Sequence, residues 1–407
     1  MKRLPLTTVA VLIGLLVPAG TQAAAAPAGD VRLAKGAGSE MDRWMVGASR
    51  ARRAWFRRTY ERMKGYAPWF DARLSWYPNA WAYQDLYAIY ADEREDGSRL
   101  RWVLRDDSGR RLFIPWGCDG SGCPQYAADP GDPGFRRAWL ADARRKLQAG
   151  YRGLYVDDAS LAMFVGDGSG DLRAPIDPRT GQPMPKDDWR RYVTEFLEQI
   201  RDAFPGVEIV HNANWWVAPL DDPLHRRQVQ AADWLVLEHA FSDTGLTGGK
   251  GPLSFRSYLR HVDSLHRMGR RVVFDGEGST PEGRELLLAG YLVANDGRDL
   301  LSSWERSEPG DMWRGFRLEL GSAELHEPVI EEGHARFDAV RHRQAIEVSQ
   351  DSRQHRAVEH AIETPVQCAP FARQHVILAD QRKLRRDIAQ AAAQQIVPLP
   401  PDHQRPK

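Results

Sequence analysis

Short apolar runs recur through the middle of the chain, and each run ends in polar or acidic side chains. The runs and their endings are Leu154-Tyr155-Val156 before Asp157-Asp158, Val207-Glu208-Ile209-Val210 before His211-Asn212, Trp234-Leu235-Val236-Leu237 before Glu238-His239, and Val272-Val273-Phe274 before Asp275-Gly276-Glu277. Runs rich in β-branched and aromatic residues are typical of buried parallel strands. In α/β barrels the chemistry lies at the carboxyl ends of the strands, so the pattern predicts an acidic active-site edge.

Amphipathic stripes lie between these runs and predict helices. Phe135, Trp139, Ala143 and Leu147 recur every four residues and stop at Gly150, which is a suitable helix end. Alternating strands and helices predict a parallel sheet. Because no Gly-x-Gly-x-x-Gly fingerprint follows a predicted strand, a dinucleotide-binding fold is disfavoured, and we predict an α/β fold of the (β/α)8 TIM-barrel class. Similar stripes cover residues 189–203, 255–265 and 281–293.

Composition divides the chain into segments. Residues 24–40 are rich in Ala and Gly and predict a linker, and the barrel is expected over residues 41–321, with Leu86–Tyr90 as an early barrel strand. Every Trp and Tyr precedes residue 322, whereas seven of the 12 His follow it. We therefore predict an atypical extension over residues 322–407, either loosely ordered or the product of an altered reading frame.

The N-terminus has the features of a signal peptide. Lys2 and Arg3 precede an apolar segment, and small residues follow it near Ala23. We predict cleavage after residues 1–23 and a secreted or periplasmic protein without stable membrane insertion. An uncleaved membrane anchor is the alternative, which the short apolar run disfavours.

Charge and cysteine content narrow the classes of partner. The formal net charge is +1 and no basic stripe is present, which argues against nucleic acid. Cys118 and Cys123 are separated by a flexible Asp-Gly-Ser-Gly spacer, so they either pair in an oxidising compartment or remain two free thiols. The loop has too few soft ligands for zinc.

Glycosidic bond cleavage requires two carboxyl groups facing each other across a pocket. Asp157 and Glu238 end predicted strands separated by the strand that ends at Asn212, so they are the predicted catalytic pair. Partial desolvation of Glu238 is expected to raise its pKa toward that of a general acid. Adjacent strand residues point to opposite faces, so either Asp157 or Asp158 faces the pocket, and Asp157 is favoured as the nucleophile.

Sugar recognition combines hydroxyl-binding polar groups with aromatic rings that stack on the apolar faces of sugars. The chain contains 14 Trp. The residues predicted to bind substrate on these grounds are Asn212, Asn214, Trp215, Trp216, Asp275, Glu277 and Trp116. For the Asn, Asp and Glu residues in this group, the alternative is a structural role, in which each side chain accepts hydrogen bonds from backbone amides in a turn.

Two segments of the chain resemble a bacterial family of hypothetical glycosyl hydrolases, number fifteen. They are Gln125-Tyr126-Ala127-Ala128-Asp129-Pro130, followed by a helix with Arg136 and Trp139, and Gly150-Tyr151-Arg152-Gly153-Leu154-Tyr155-Val156-Asp157-Asp158. The resemblance implies a TIM barrel related to the α-galactosidase and endo-α-galactosaminidase-like clan. It also implies a nucleophilic Asp after the fourth strand, here Asp157 or Asp158, and an acid after the sixth, here Glu238. The resemblance also adds Asp129, within the first of these segments, to the expected substrate-binding residues.

The leading hypothesis is an exported glycoside hydrolase that cleaves an α-linked polysaccharide or oligosaccharide by a two-carboxylate, retaining mechanism. We expect a monomer that uses no cofactor and no metal. A non-catalytic carbohydrate-binding barrel is the alternative. A metal-dependent hydrolase using Asp157, Asp158 and Asp275 is disfavoured because no His cluster accompanies them.

Overall fold

A closed barrel of eight parallel strands forms the centre of the computed structural model. The structure describes residues 31–37, 41–90, 97–116, 118, 122–242, 246–247, 251–276, 280–303, 330–331 and 334–335. Each barrel strand pairs in parallel with the next along the chain, and the eighth pairs with the first. The predicted (β/α)8 TIM barrel is therefore confirmed.

The barrel strands are short and end on one common edge. They are β1 (Leu33–Ala37), β2 (Arg62–Gly65), β3 (Ala80–Asp85), β4 (Gly153–Asp157), β5 (Glu208–Asn212), β6 (Trp234–Glu238), β7 (Arg271–Gly276) and β8 (Leu300–Ser303).

Helices connect the strands and cover the outside of the barrel. They are α1 (Asp42–Met45), α2 (Arg50–Thr59), α3 (Asp71–Leu74), α4 (Pro133–Ala149), α5 (Lys186–Ala203), α6 (Pro223–Gln230), α7 (Phe255–Arg267) and α8 (Pro281–Ala294).

Local signals in the sequence account for the bounds of these helices. Before α4, the Asp132 side chain accepts hydrogen bonds from the amides of Gly134 and Phe135, at 2.6 and 2.9 Å. Pro133 occupies the first turn, where its missing amide proton costs nothing. Gly150 ends the helix with a φ of +111°, a left-handed conformation that glycine adopts without strain.

Side chains alternate between the barrel interior and the outer core along each strand. The interior cluster comprises Ala34, Trp81, Tyr155, Val210, Trp234, Val236, Val273 and Leu300. Neighbouring residues such as Leu154 and Val272 instead pack outward in the core beneath the helices. This alternation decides which residues at the strand ends face the pocket.

Two predictions about the first part of the fold are wrong. The linker expected over residues 24–40 contains β1, which pairs with β2 and β8 on its two sides. Its sequence, Leu-Ala-Lys-Gly-Ala, has no strand pattern of its own. Backbone pairing with the strands on both sides holds it in the barrel instead. Leu86–Tyr90 is not a barrel strand: β3 ends just before it, and residues 88–90 pair antiparallel with residues 125–127 outside the barrel.

Several predictions concern parts of the chain outside the described residues. These are the signal peptide over residues 1–23 and almost all of the extension over residues 322–407, of which only the short strands Ile330–Glu331 and His334–Ala335 are described. No helix within the described part of the chain is both long and apolar enough to cross a membrane.

Candidate active site

Four predicted strand ends meet at one mouth of the barrel. Asp157, Asn212, Glu238 and Asp275 lie at the carboxyl ends of the consecutive strands β4 to β7. Glu238 lies opposite Asp275 in the pairing of β6 with β7. The interior residues Tyr155, Val210, Val236 and Val273 each precede one of these four by two positions. Strand alternation therefore directs the four polar side chains inward, and their predicted location at one mouth is confirmed.

Asn212 joins the two predicted catalytic carboxylates. Its Nδ2 donates to Asp157 Oδ1 at 2.7 Å and to Glu238 Oε2 at 3.2 Å. Because both oxygens contact one nitrogen atom, the two carboxylates face each other across a narrow gap. The same amide holds both side chains in fixed orientations before substrate arrives.

Glu238 has the electrostatic environment of an acid. Its side chain reaches the open mouth, yet protein surrounds it on the barrel side. This burial, followed by the negative charge of Asp157, raises the pKa of Glu238, whereas His239 and the Asn212 amide oppose the shift. The expected direction of its pKa shift is therefore confirmed.

Asp158 points away from the interior position that Asp157 occupies. Its φ is +50°, a left-handed conformation that is uncommon for a residue other than glycine. Its Oδ1 accepts a 3.0 Å hydrogen bond from the indole Nε1 of Trp116. Trp116 therefore contacts a carboxylate of the site through its indole nitrogen.

The structure adds Asp85, which the sequence reasoning did not identify. Asp85 ends β3, lies opposite Asp157 in the strand pairing and is buried. Its Oδ1 accepts the amides of Tyr87 and Ala88 at 2.9 and 2.7 Å, and its carboxyl group lies beside that of Asp158. Burial, followed by the charge of Asp157, raises the pKa of Asp85 to about 7.

Lys64 supplies positive charge to this acidic mouth and was also missed. It lies on β2, and its Nζ stands 4.7 Å from the centroid of the Tyr155 ring. Burial disfavours the charged amine, but nearby oxygen-bearing side chains raise the pKa of Lys64 overall, so it remains protonated. These side chains are Tyr66, Asp157, Asp275 and Glu238.

An exposed aromatic ring stands beside Lys64. Tyr66 directly follows β2, its residue surface is 37% exposed, and its ring centroid lies 4.5 Å from that of Tyr83. Lys64 Nζ lies 5.9 Å from the Tyr66 ring. Tyr66 thus presents aromatic surface at the end of the barrel that carries the carboxylates.

The aromatic platform predicted after β5 requires correction. Trp215 is buried, and its ring packs edge-on against Tyr258 at 5.2 Å and near His261 at 6.2 Å. Its faces are therefore occupied by protein, and Trp215 is part of the core. Trp216 and Asn214 are partly exposed in the same loop, so their predicted roles stay predictions.

Asp129 has protein partners for both of its carboxylate oxygens. It is buried, and both of its carboxylate oxygens accept from Arg179 Nη2 at 3.0 Å. Oδ1 additionally accepts the Gly131 amide at 2.9 Å. With its oxygens engaged in this way, Asp129 braces the loop before α4, and its assignment as a substrate-binding residue stays a prediction.

Other predictions have mixed outcomes. Cys118 and Cys123 form a disulfide bond, in the loop that follows Trp116. Glu277 lies outside the described residues. Among the described residues, the one group spaced to hold a metal ion is His266, Asp296 and Asp299, which lies near the start of β8 and away from the mouth.

No family model and no curated protein matches this chain. The resemblance to family fifteen therefore stays a prediction. Among solved structures, the chain is similar to the glycoside hydrolase domain of PelA from Pseudomonas aeruginosa, at 17% identity over 70% of this chain and 97% of that one, with a TM-score of 0.40.

Two further similar structures come from other organisms. One is the Thermus thermophilus α-galactosidase TtGalA in complex with stachyose, at 17% identity, 70% and 62% coverage and a TM-score of 0.42. The other is Aspergillus fumigatus Ega3 in complex with galactosamine, at 10% identity, 69% and 92% coverage and a TM-score of 0.39. At these values the likenesses say nothing of this chain's activity, and the class of fold rests on the closed strand order.

Proposed function

We propose that the chain is a glycoside hydrolase acting on a polysaccharide or oligosaccharide, with Asp157 as nucleophile and Glu238 as general acid and base. The observation that carries the proposal is the Asn212 amide, which contacts both carboxylates at 2.7 and 3.2 Å. Retaining glycosidases hold their carboxyl groups roughly 5–5.5 Å apart, whereas inverting enzymes separate them by roughly 6.5–9.5 Å. Two oxygens held by one nitrogen support the shorter, retaining separation.

The reaction then follows in two steps. Glu238 protonates the glycosidic oxygen as Asp157 Oδ attacks the anomeric carbon, so the bond to the leaving sugar breaks and a glycosyl ester of Asp157 forms. Glu238, now ionised, next removes a proton from water, whose oxygen attacks the anomeric carbon and releases Asp157. Lys64 supplies a positive charge beside Asp157 in this arrangement.

Substrate class and location complete the proposal. We infer an α-linked substrate from the family resemblance, and a secreted or periplasmic location from the signal-like residues 1–23. Tyr66, Trp216 and Asn214 are the proposed sugar contacts, with Asp275 held close to Glu238. Tyr66 takes the stacking role expected of the buried Trp215.

Kinetics of two isosteric variants test the assignment. Asp157→Asn is expected to lower kcat/KM by at least about 1,000-fold, because an amide cannot act as the nucleophile. Glu238→Gln should be equally inactive on glycosides with poor leaving groups, but should keep more activity on an activated aryl glycoside, whose departure needs little protonation. The exposed Asp187→Asn is the matched control and should behave as wild type.

The raised pKa of Glu238 also predicts the shape of the pH profile. The acid must be protonated in the first step, so wild-type kcat/KM should fall as pH rises through that pKa, and this alkaline limb should disappear in Glu238→Gln. Full activity of both variants would remove this mouth as the catalytic centre. Binding of oligosaccharides without hydrolysis across a polysaccharide panel would instead favour a carbohydrate-binding barrel.

A further inference from the structure

Two carboxyl groups outside the predicted catalytic pair contact each other beside the nucleophile. Asp85 ends β3, Asp158 follows β4, and their carboxyl groups lie within hydrogen-bonding reach of each other. A hydrogen bond between two carboxyl groups requires a proton on one of them, because ionised carboxylates only accept.

The remaining oxygens of the pair identify where that proton lies. Asp85 Oδ1 accepts two backbone amides, from Tyr87 and Ala88, and Asp158 Oδ1 accepts the indole N–H of Trp116. Asp85 Oδ2 is buried and receives no N–H or O–H donor from the residues that the structure describes. The proton therefore belongs between Asp85 Oδ2 and Asp158, where it satisfies an oxygen that is otherwise buried and unpaired.

The charges around the pair also favour retention of one proton. The carboxyl groups that act on it include those of Asp157 and Glu238, and the neighbouring phenols are Tyr83, Tyr87 and Tyr90. Burial raises the pKa of both carboxyls of the pair, to about 7 for Asp85. Carboxyl groups this close to each other do not both ionise near neutral pH.

The position of the pair links it to Asp157. Asp85 is the strand-pairing partner of Asp157, and Asp158 is its neighbour in the chain, in the left-handed turn at the end of β4. The Leu86 amide, just after Asp85, donates to the Asp157 carbonyl at 3.0 Å. The contact between the Asp85 and Asp158 carboxyl groups therefore also fixes the backbone beside the proposed nucleophile, in β3 and at the end of β4.

We propose that Asp85 and Asp158 share one proton, and that this carboxylic acid–carboxylate pair is a positioning device that fixes the end of β4 and thereby aims Asp157. The positioning role rests on the proposed function. The existence of the shared proton does not rest on that function, so experiments can disprove either part without the other.

The backbone contacts make Asp85→Asn an informative test. Because two amides donate to Oδ1, the carbonyl of the new amide must take that position, which leaves its NH2 group facing Asp158. This variant keeps the link without a titrating proton. Asp85→Ala removes the link, and Asp158→Asn is a second charge-neutral variant, with its carbonyl set by Trp116.

Infrared titration and thermal unfolding test the proton without any substrate. Wild type should show a protonated carboxyl band that persists at pH 7, because burial and the neighbouring carboxyl groups raise the pKa of Asp158 well above its ordinary value, and this band should be absent from Asp85→Asn. A raised pKa means that the folded chain binds the proton more tightly than the unfolded chain. The stability that the raised pKa values of the pair contribute is therefore complete below about pH 4, falls as pH rises to about 7, where Asp85 ionises, and falls further at higher pH as Asp158 ionises.

Between pH 4 and pH 7, the melting temperature of wild type should therefore fall by at least about 2 °C more than that of Asp85→Asn. Asp187→Asn should track wild type throughout. Absence of the infrared band, together with parallel pH dependence in Asp85→Asn and Asp158→Asn, would overturn the shared proton.

Steady-state kinetics at pH 5 test the positioning role. Asp85→Asn and Asp158→Asn should keep kcat within about fivefold of wild type, whereas Asp85→Ala should lose at least about tenfold in kcat with little change in KM. Equal losses in the Asn and Ala variants, or a full loss in Asp158→Asn, would overturn it. If wild type shows the band and the stability shift but hydrolyses no glycoside, the proposed function fails while the shared proton stands.

Discussion

The two ends of the barrel treat their carboxylates in opposite ways. At the amino end, Glu208 at the start of β5 accepts from Arg62 at 2.8 and 2.9 Å, from Arg152 at 2.9 Å and from the Trp81 indole at 2.8 Å. Although burial raises its pKa, these contacts lower it to about 2 overall. At the carboxyl end, Asp85, Asp157, Asp158, Glu238 and Asp275 gather around Lys64.

This difference assigns the two ends of the barrel different roles: the amino end stabilises the fold, and the carboxyl end carries the reacting groups. Paired charges at the amino end stabilise the folded barrel, whereas crowded like charges at the mouth cost stability and raise the pKa of carboxyls that can then give up protons. A barrel commonly carries stabilising contacts at its amino end and reacting groups at its carboxyl end. The predictions below test that division from three sides.

Of these three tests, the largest effect is expected at Lys64. Lys64→Met should lower kcat by about 10- to 100-fold, because about 1.4 kcal/mol of lost charge stabilisation corresponds to each factor of ten. The acidic limb of kcat/KM should also move to higher pH, since the carboxylates it faces ionise less readily without the cation. Lys64→Arg is the matched control and should recover the wild-type pH profile. An unchanged profile in Lys64→Met would show that this cation does not govern the mouth.

At the other end, Glu208→Gln should cost about 1–3 kcal/mol of unfolding free energy, because it weakens charge-assisted bonds from two arginines. Its activity below the unfolding temperature should match wild type. Because the pKa of Glu208 is lowered, its contribution is present above about pH 4.3 and is lost as pH falls toward 2, so the difference between the proteins should shrink on acidification. Loss of activity in the folded variant would contradict the division between the two ends.

The smallest effect is expected at the rim. Tyr66→Ala should raise KM by about two- to tenfold with kcat nearly unchanged, since an exposed stacking ring contributes roughly 0.5–1.5 kcal/mol to binding. Tyr66→Phe keeps the ring and should retain wild-type KM. A fall in kcat alone would place Tyr66 in support of Lys64 rather than in sugar binding.

What the sequence could predict follows from how each part of the barrel is held. Strands β4 to β7 are buried on both faces, so their apolar runs are visible, and the polar residues at their ends could be identified. Strand β2 reads Arg-Met-Lys-Gly and carries no apolar run, because its inward residues are the charged Arg62 and Lys64. Lys64 was missed for that reason.

Asp85 was missed for a related reason. The Asp85 side chain accepts backbone amides and so turns the chain at the end of β3. Residues 86–90 beyond that turn have a stronger strand pattern, so the barrel strand was predicted there and not at β3. The ring contacts that bury Trp215 come from Tyr258 and His261 on α7, far along the chain, so sequence position alone could not distinguish it from an exposed platform.

Trapping the covalent intermediate tests the central claim most directly. The enzyme would be incubated with a glycoside that carries fluorine at C2 and an activated leaving group, which slows breakdown of the glycosyl ester, and then digested for peptide mass spectrometry. The account predicts one attached sugar on Asp157 in wild type and no label in Asp157→Asn. Attachment of the sugar to Asp158 or Asp85 would contradict it.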